Sequence, residues 1–368
     1  MLRERFPAHE GAVTSTLALS ALVALLAFYN LGRPQFWNAG EGRPTFIHNH
    51  DMRVYYPVAK YFRELRFDGV YAASLAALED IDAPGSLDRM ARVEFRDMTT
   101  HEMTRVGEAR GTIAEVKSRF SPERWAAFVN DMRYFRHSMG LNGYLGSMHD
   151  HGANATPVWF LSALAIFAWS PASDAILITG AAIDLGLLLV AFAAIGRTFG
   201  LRTMLLSIVF FGANDFYMFG SNWAGATLRH DWMAYLALGA CALRSSRYAL
   251  GGVLLALAAM IRAFPALALV GVALAAGWML IQQRSALGRP LTRAERMETL
   301  APFFRVALGA AICVLGLWLV TSLVFGFDSW TIWLEKVALL SRDSHVNNIS
   351  LRQLAIWTRQ AGLSNAGA

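Results

Sequence analysis

The chain has 368 residues, of which 55% are hydrophobic and 16% charged, and its mean hydropathy is +0.36. These values exclude an ordinary soluble domain, and because the apolar residues fall into blocks of helix length, they indicate a multi-pass membrane protein. The net charge of +6 would suit a nucleic-acid partner, but the arginines concentrate in short loops between the apolar blocks, where membrane topology explains them. We therefore expect no nucleic-acid partner.

The first apolar block covers residues 12–31. With about 20 residues it is long enough to cross a hydrocarbon core of about 30 Å as a helix. We interpret it as a retained transmembrane helix with its N-terminus in the cytoplasm rather than as a signal peptide, because no small-residue cleavage motif follows it.

Residues 33–155 form a large polar segment that mixes aromatic with charged side chains. We expect amphipathic helices here that lie on the membrane surface. The first has an apolar face made of Tyr55, Val58, Tyr61, Phe62 and Leu65. Ser121, followed by Pro122 and Glu123, predicts the start of a second helix. Its apolar stripe consists of Trp125, Phe128, Met132 and Phe135.

The remainder of the chain is mostly apolar. Residues 157–169 begin with proline and number about 13, too few to span a membrane, so we expect a short re-entrant helix that dips into one leaflet. Further apolar blocks cover residues 175–195, 204–219, 231–243, 248–261, 264–281 and 303–325.

The arginines select a topology, since cytoplasmic loops are enriched in Lys and Arg. If residues 157–169 do not cross, the arginine groups between the apolar blocks all lie in the cytoplasm. The sequence thus predicts an all-α, polytopic protein with about seven transmembrane helices in one domain over residues 1–368. The helix bundle extends over residues 157–325. The external side then receives residues 33–155, 221–230, 262–265 and 327–368.

Asp51 is the main candidate for catalysis. It follows the first apolar block and is flanked by His48 and His50. A carboxylate at the water–membrane boundary can act as the general base that removes a proton from an acceptor hydroxyl during sugar transfer from a lipid phosphate. The alternative is a helix N-cap whose histidine neighbours face solvent.

Two arginines are candidates for phosphate binding. Arg229 stands where a helix enters the membrane, and Arg262 lies inside a long stretch without other charges. An intramembrane arginine is costly unless it is paired, and a lipid phosphodiester is a suitable partner. The alternative for Arg262 is a structural ion pair with Asp231 or Asp184.

Two further polar clusters fall on the predicted external side. Asp150 and His151 precede the proline-led helix, where they can line an acceptor or sugar site or simply cap that helix. His345 and Asn348 can bind sugar hydroxyls, and His345 can also assist at the donor phosphate. The chain has no zinc-ligand spacing and no glycine-rich phosphate loop, so we expect neither a metal nor a bound cofactor.

This arrangement resembles the GT-C superfamily of membrane glycosyltransferases, in particular its polyprenyl-phosphate-mannose-dependent branch. Members carry an acidic base in the first external loop, then interfacial helices, then a short proline-led helix before the second span. Asp51, residues 55–65 and residues 157–169 occupy these places. Residues 262–265 and 345–351 resemble two later motifs of the superfamily. Many members have several more helices than this chain.

The resemblance implies an inverting, metal-independent transferase in the bacterial inner membrane. Its donor would be a polyprenyl-phosphate-linked sugar such as mannose, and its acceptor a cell-envelope glycan or lipid on the external face. Asp51 would be the base, Arg229 and Arg262 would hold the phosphate, and His345 would assist. Two other classes stay open: a transporter or flippase for a lipid-linked saccharide, and a non-catalytic envelope assembly protein.

Overall fold

A computed structural model describes residues 7–213, 220–221 and 224–341. Its helices are α1 (Pro7–Phe28), α2 (Asn49–Lys60), α3 (Phe62–Leu65), α4 (Val70–Ile81), α5 (Ser86–Arg89), α6 (Arg110–Ser118), α7 (Pro122–Gly146), α8 (Pro157–Phe167), α9 (Asp174–Phe199), α10 (Leu201–Gly212), α11 (Asp231–Arg244), α12 (Tyr248–Ile261), α13 (Ala266–Leu287), α14 (Arg293–Phe325) and α15 (Ser329–Leu340). Its strands are β1 (Phe36–Asn38), β2 (Arg43–Thr45), β3 (Glu94–Arg96) and β4 (Met103–Arg105).

Four of the described helices are long and apolar enough to cross a membrane, namely Glu10–Phe28 within α1, α9, α13 and α14. The chain is therefore a nearly all-α protein with helices of membrane-spanning length. Helices α10, α11 and α12 have 12, 14 and 14 residues. At 1.5 Å per residue they reach only about 18–21 Å, which is less than the hydrocarbon thickness of about 30 Å. The count of seven spans remains a prediction.

The short proline-led helix is confirmed as α8. Thr156 is its N-cap and accepts a hydrogen bond from the backbone N–H of Trp159 at 3.3 Å. The fixed φ of Pro157 suits the first helical position. With 11 residues, α8 is too short to span a membrane.

The prediction that the apolar face at residues 55–65 lies on the membrane surface is wrong. These residues are divided between α2 and α3, with Tyr61 between the two helices, and their apolar side chains are buried inside the protein. Tyr61 packs edge-on against Phe128 of α7, and Phe62 packs against Phe160 of α8. Amphipathic spacing reports that a helix has an apolar face, but not whether lipid or protein covers it. The same holds for α7. Its start at Pro122 with Ser121 as N-cap is confirmed, and its stripe faces the core, with Phe128, Met132 and Phe135 fully buried.

Two small antiparallel hairpins interrupt the predicted all-α fold. Strand β1 pairs with β2, and β3 pairs with β4. Each strand has three residues, too few for a period-two pattern to be recognised in the sequence.

A buried polar network fixes α2 to the rest of the fold. The Asp131 carboxylate of α7 lies 2.9 Å from Lys60 Nζ and accepts hydrogen bonds from the Tyr61 hydroxyl and from the backbone N–H of Ala172, both at 2.7 Å. Asp131 therefore joins α2 and α7 to the connection between α8 and α9. Because α2 carries Asp51, this network also positions the candidate site.

Candidate active site at the start of α2

Asp51 and Arg229 meet at the start of α2. Asp51 Oδ2 lies 3.7 Å from Arg229 Nη1, and their side chains are only 14% and 18% exposed. Burial opposes the charge on Arg229, but attraction to Asp51, with contributions from Tyr55 and Asp150, raises its pKa. The N-cap residue of α2 is His48, so Asp51 is not the cap but an acid in the first turn. A carboxylate there is favoured by the helix dipole.

The segment that carries Arg229 is held against the residues before α2. The backbone N–H of His48 donates to Gly225 O at 3.1 Å. A β-carbon at Gly225 would lie 2.1 Å from Phe46 O, so only glycine permits this approach. Just before Arg229, Leu228 adopts φ +51, a left-handed backbone that is costly for leucine. Trp159 Nε1 donates to Leu228 O at 2.8 Å and so holds this conformation in place.

Tyr55 lies one helical turn after Asp51, and its ring contacts Arg229. Its hydroxyl donates to Asn154 Oδ1 at 2.8 Å, and its ring centroid lies 5.6 Å from the guanidinium carbon of Arg229. At that distance the cation is attracted to the face of the ring. Tyr55 therefore connects three parts of the chain that are distant in sequence: α2, the segment before α8 and the segment before α11.

The segment before α8 borders the same site. Asp150 is exposed, and its charge acts on both Arg229 and Lys336. His151 is half-buried, and its carbonyl oxygen accepts a hydrogen bond from Lys336 Nζ at 2.8 Å. Asp150 and His151 do not cap α8, because the N-cap of that helix is Thr156.

The two histidines beside Asp51 differ in environment. His48 is half-buried and stacks on Phe36 with ring centroids 4.8 Å apart, whereas His50 is exposed. Burial lowers the pKa of His48 to about 4, although the nearby Asp51 opposes this shift. At neutral pH His48 is therefore an uncharged hydrogen-bonding group next to Asp51.

Arg262 does not join this pair. It ends α12 as its C-cap, is half-buried, and its charge attracts Asp231, which begins α11. Among the described residues no ion pair links Arg262 to Asp51. Asp184 is occupied elsewhere, since its Oδ2 lies 2.7 Å from His230 Nδ1 and its Oδ1 accepts from the His230 backbone at 2.9 Å. No ion pair of 4 Å or less joins Arg262 to Asp231 either, so among the described residues only a longer-range attraction between these two charges remains of the structural alternative.

Lys336 and His101 are site neighbours that sequence reasoning missed. Lys336 is 5% exposed, and its Nζ lies 2.7 Å from His101 Nε2. No carboxylate of the described residues lies within 4 Å of this amine. Burial lowers the pKa of Lys336 to about 7, with Asp150 opposing. His101 itself has φ +66, a strained conformation. The signal in the sequence was faint: Lys336 interrupts the apolar residues that follow Trp330.

Two predicted residues, His345 and Asn348, lie outside the described residues. In the part of the chain that the structure covers, no group of three or more His, Cys, Asp or Glu side chains is arranged to hold a metal ion.

Comparisons with protein-family models, with curated proteins and with solved structures gave no match to this chain. The site must therefore be interpreted from its own chemistry. It combines a partly accessible carboxylate, a cation that can bind an anion, and neutral hydrogen-bonding groups around them. Such a set suits proton removal next to a phosphate.

Proposed function

We propose that this chain is a membrane glycosyltransferase of the GT-C type. It transfers a sugar from a polyprenyl-phosphate donor to a hydroxyl of a cell-envelope glycan or lipid on the external face of the bacterial inner membrane. The proposal includes about seven spans, with residues 33–155 on the external side. The resemblance of the sequence supplies the class of reaction, and the site supplies the residues.

The observation that carries the proposal is the loose pairing of Asp51 with Arg229. Their 3.7 Å separation exceeds that of a charge-assisted hydrogen bond, which is about 2.7–2.9 Å. Arg229 can therefore turn its charge towards a donor phosphate without breaking a close hydrogen bond to Asp51. This leaves Asp51 Oδ2 able to accept a proton at the place where the phosphate binds.

The reaction then proceeds in one displacement. Asp51 takes the proton of the acceptor hydroxyl, the acceptor oxygen bonds to the anomeric carbon of the sugar, and the bond from that carbon to the phosphate oxygen breaks. The electron pair of the broken bond leaves with the polyprenyl phosphate, whose charge Arg229 stabilises. Attack opposite the leaving group inverts the anomeric centre. We assign the phosphate contact to Arg229 and a structural role to Arg262, while His345 and Asn348 stay predicted sugar or phosphate contacts.

The test uses purified wild-type protein in lipid nanodiscs with a panel of radiolabelled polyprenyl-phosphate sugars and mixed envelope acceptors. We expect one donor to bind and its sugar to appear in the acceptor with inverted configuration. Binding of a lipid-linked saccharide without any transfer would contradict the proposal.

A transporter or flippase for lipid-linked saccharides is the second candidate. The observation that favours it is the buried Asp184–His230 pair, because Asp184 lies within the candidate span α9. Ionisable pairs at such positions serve as proton relays in many transporters. Transbilayer movement of a fluorescent lipid-linked sugar in proteoliposomes, lost in Asp184→Asn, would support this function. A non-catalytic assembly protein would instead leave both assays negative and tolerate Asp51→Asn.

A further inference from the structure

The β1–β2 hairpin carries large apolar side chains on its outside. Trp37 is 60% exposed and Phe46, one residue after β2, is 52% exposed. Trp37 is paired across the hairpin with Pro44, which is also exposed. Exposed aromatic side chains next to one another mark a surface that contacts something other than water.

The hairpin lies beside the first turns of α9. Arg43, near its turn, forms an ion pair of 2.8 Å with Asp174, the first residue of α9. At the other end of the hairpin, Phe36 and Phe46 line a cavity of about 340 Å³ together with Ile178 and neighbouring residues of α9. The hairpin therefore runs along α9, with its polar end at the helix start and its aromatic end further along the helix.

The length of α9 gives the level of the hairpin relative to a bilayer. Its 26 residues make it about 39 Å long, about 9 Å more than the hydrocarbon core. If the excess is shared between the ends, about three residues protrude on each side. Ile178 then lies at the edge of the hydrocarbon, and Phe46 beside it. Trp169, shortly before Asp174, is 83% exposed and belongs to the same level.

We infer that the β1–β2 hairpin is a lipid-binding element that inserts Trp37 and Phe46 into the headgroup boundary of the bilayer. Tryptophan prefers this boundary because its ring is apolar while its N–H can bond to water or headgroups. Arg33, exposed and lining the same cavity, suits lipid phosphates. Tyr29, directly after the candidate span in α1, lines this cavity as well, so lipid rather than a protein partner is the expected occupant.

This insertion would set the height of the candidate site above the hydrocarbon. Strand β2 ends at Thr45, three residues before His48, and Phe36 of β1 stacks on His48. The hairpin is therefore packed directly against the start of α2. The inference does not depend on the proposed transferase, since any activity of Asp51 and Arg229 would be placed at the same membrane level.

The test is a depth measurement with spin labels. In a background of Cys241→Ala and Cys313→Ala, labels are attached after Trp37→Cys, Phe46→Cys or Glu41→Cys. Glu41 lies in the hairpin turn with its side chain 42% exposed, and it serves as the matched control. The protein is reconstituted in vesicles of phosphatidylethanolamine and phosphatidylglycerol, and collisions with oxygen and with a water-soluble nickel chelate are compared.

We expect the ratio of the two accessibilities to reverse: oxygen dominates at positions 37 and 46, with 46 deeper, while the nickel chelate dominates at position 41. Equal nickel accessibility at all three positions would overturn the inference. Shielding of positions 37 and 46 from both reagents would also overturn it, because a protein would then cover the hairpin. Labelling of unsubstituted protein by a membrane-soluble carbene reagent checks the result without any variant. Carbene adducts should form on Trp37 and Phe46, and their absence would count against insertion.

Discussion

Arg229 Nη1 lies 3.7 Å from Asp51 Oδ2, although helices α3 to α10 separate the two residues along the chain. Tyr55 contacts Arg229, and Trp159 binds the neighbouring Leu228, so the fold holds Arg229 beside Asp51. In the proposed transferase, Asp51 and Arg229 act as one unit.

Arg229 and Arg262 should behave differently. Arg229→Gln should weaken binding of the lipid-phosphate donor about 10- to 150-fold, since a charge-assisted hydrogen bond contributes about 1.5–3 kcal/mol. Arg262→Gln should lower the melting temperature only slightly, because the attraction that it removes from Asp231 acts without an ion pair, and donor affinity should change little. Donor titrations of both variants in nanodiscs make the comparison. Equal loss of affinity in the two variants would show that Arg262 also contacts the phosphate.

Tyr55→Phe should reduce transfer activity more than stability. The change removes the hydroxyl that donates to Asn154, which costs about 1 kcal/mol of folding free energy and loosens the support of Arg229. Tyr56→Phe is the matched control. Its hydroxyl donates to the backbone oxygen of Ser170, also at 2.8 Å, and accepts from Lys60 Nζ at 3.1 Å, so the variant should lose at least as much stability and keep its activity. If both variants lose activity in parallel, Tyr55 has only a structural role.

Lys336 should make stability depend on pH. Its pKa is about 7 in the folded protein against 10.5 ordinarily, so between these values the unfolded chain binds the additional proton. The free-energy cost of burying the charged amine is therefore fully present below pH 7. Between the two pKa values the free energy of unfolding rises by about 1.4 kcal/mol per pH unit, because the folded protein releases this proton first. The charged groups that act on Lys336 are Asp150, Asp68 and Arg96, with the rings and backbone of His101 and His151 around it.

The comparison that isolates Lys336 is the difference in melting temperature between wild type and Lys336→Met from pH 7 to pH 9. Wild type should gain stability relative to this variant as the pH rises. Met98→Leu is the control, since Met98 Sδ contacts Lys336 Nζ at 3.6 Å but carries no titratable proton. A pH-independent difference for Lys336→Met would mean that the amine stays charged in the folded state over this range.

Asp131→Asn should lower the free energy of unfolding by about 3 kcal/mol or more, because Lys60 is left buried without its carboxylate. Lys117→Met removes the exposed pair with Asp80 and should cost less than about 1 kcal/mol. Chemical denaturation in detergent compares the two variants. A similar small loss in both variants would contradict the role given to Asp131.

Local signals in the sequence predicted where helices begin and end better than they predicted how the helices pack. The apolar block at residues 248–261 coincides with α12, and Ser121 and Pro157 predicted the starts of α7 and α8 because caps and prolines act on their own turn. What covers a helix face depends on distant residues. For that reason the spacing at residues 55–65 predicts a membrane-facing surface, although α7 and α8 bury these side chains.

The sequence predicted which residues could form the site, but not how they are arranged. Topology suggested that Asp51, Asp150 and Arg229 share one side, but nothing in the sequence selects Arg229 over Arg262 as the partner of Asp51. Their pairing follows from the approach of Gly225 to Phe46 and the left-handed backbone of Leu228. The contact of Lys336 with His101 likewise depends on the β3–β4 turn, whose strands were too short to be recognised.

The most direct test of the central claim is the rate of sugar transfer by Asp51→Asn protein that has been saturated with its lipid-phosphate donor. Asparagine keeps the shape of the side chain but cannot serve as the base, so turnover should fall at least about 100-fold. Donor affinity should be unchanged or tighter, because Arg229 no longer has a carboxylate competing for it. Turnover at the wild-type rate by this variant would contradict the assignment of Asp51 as the catalytic base.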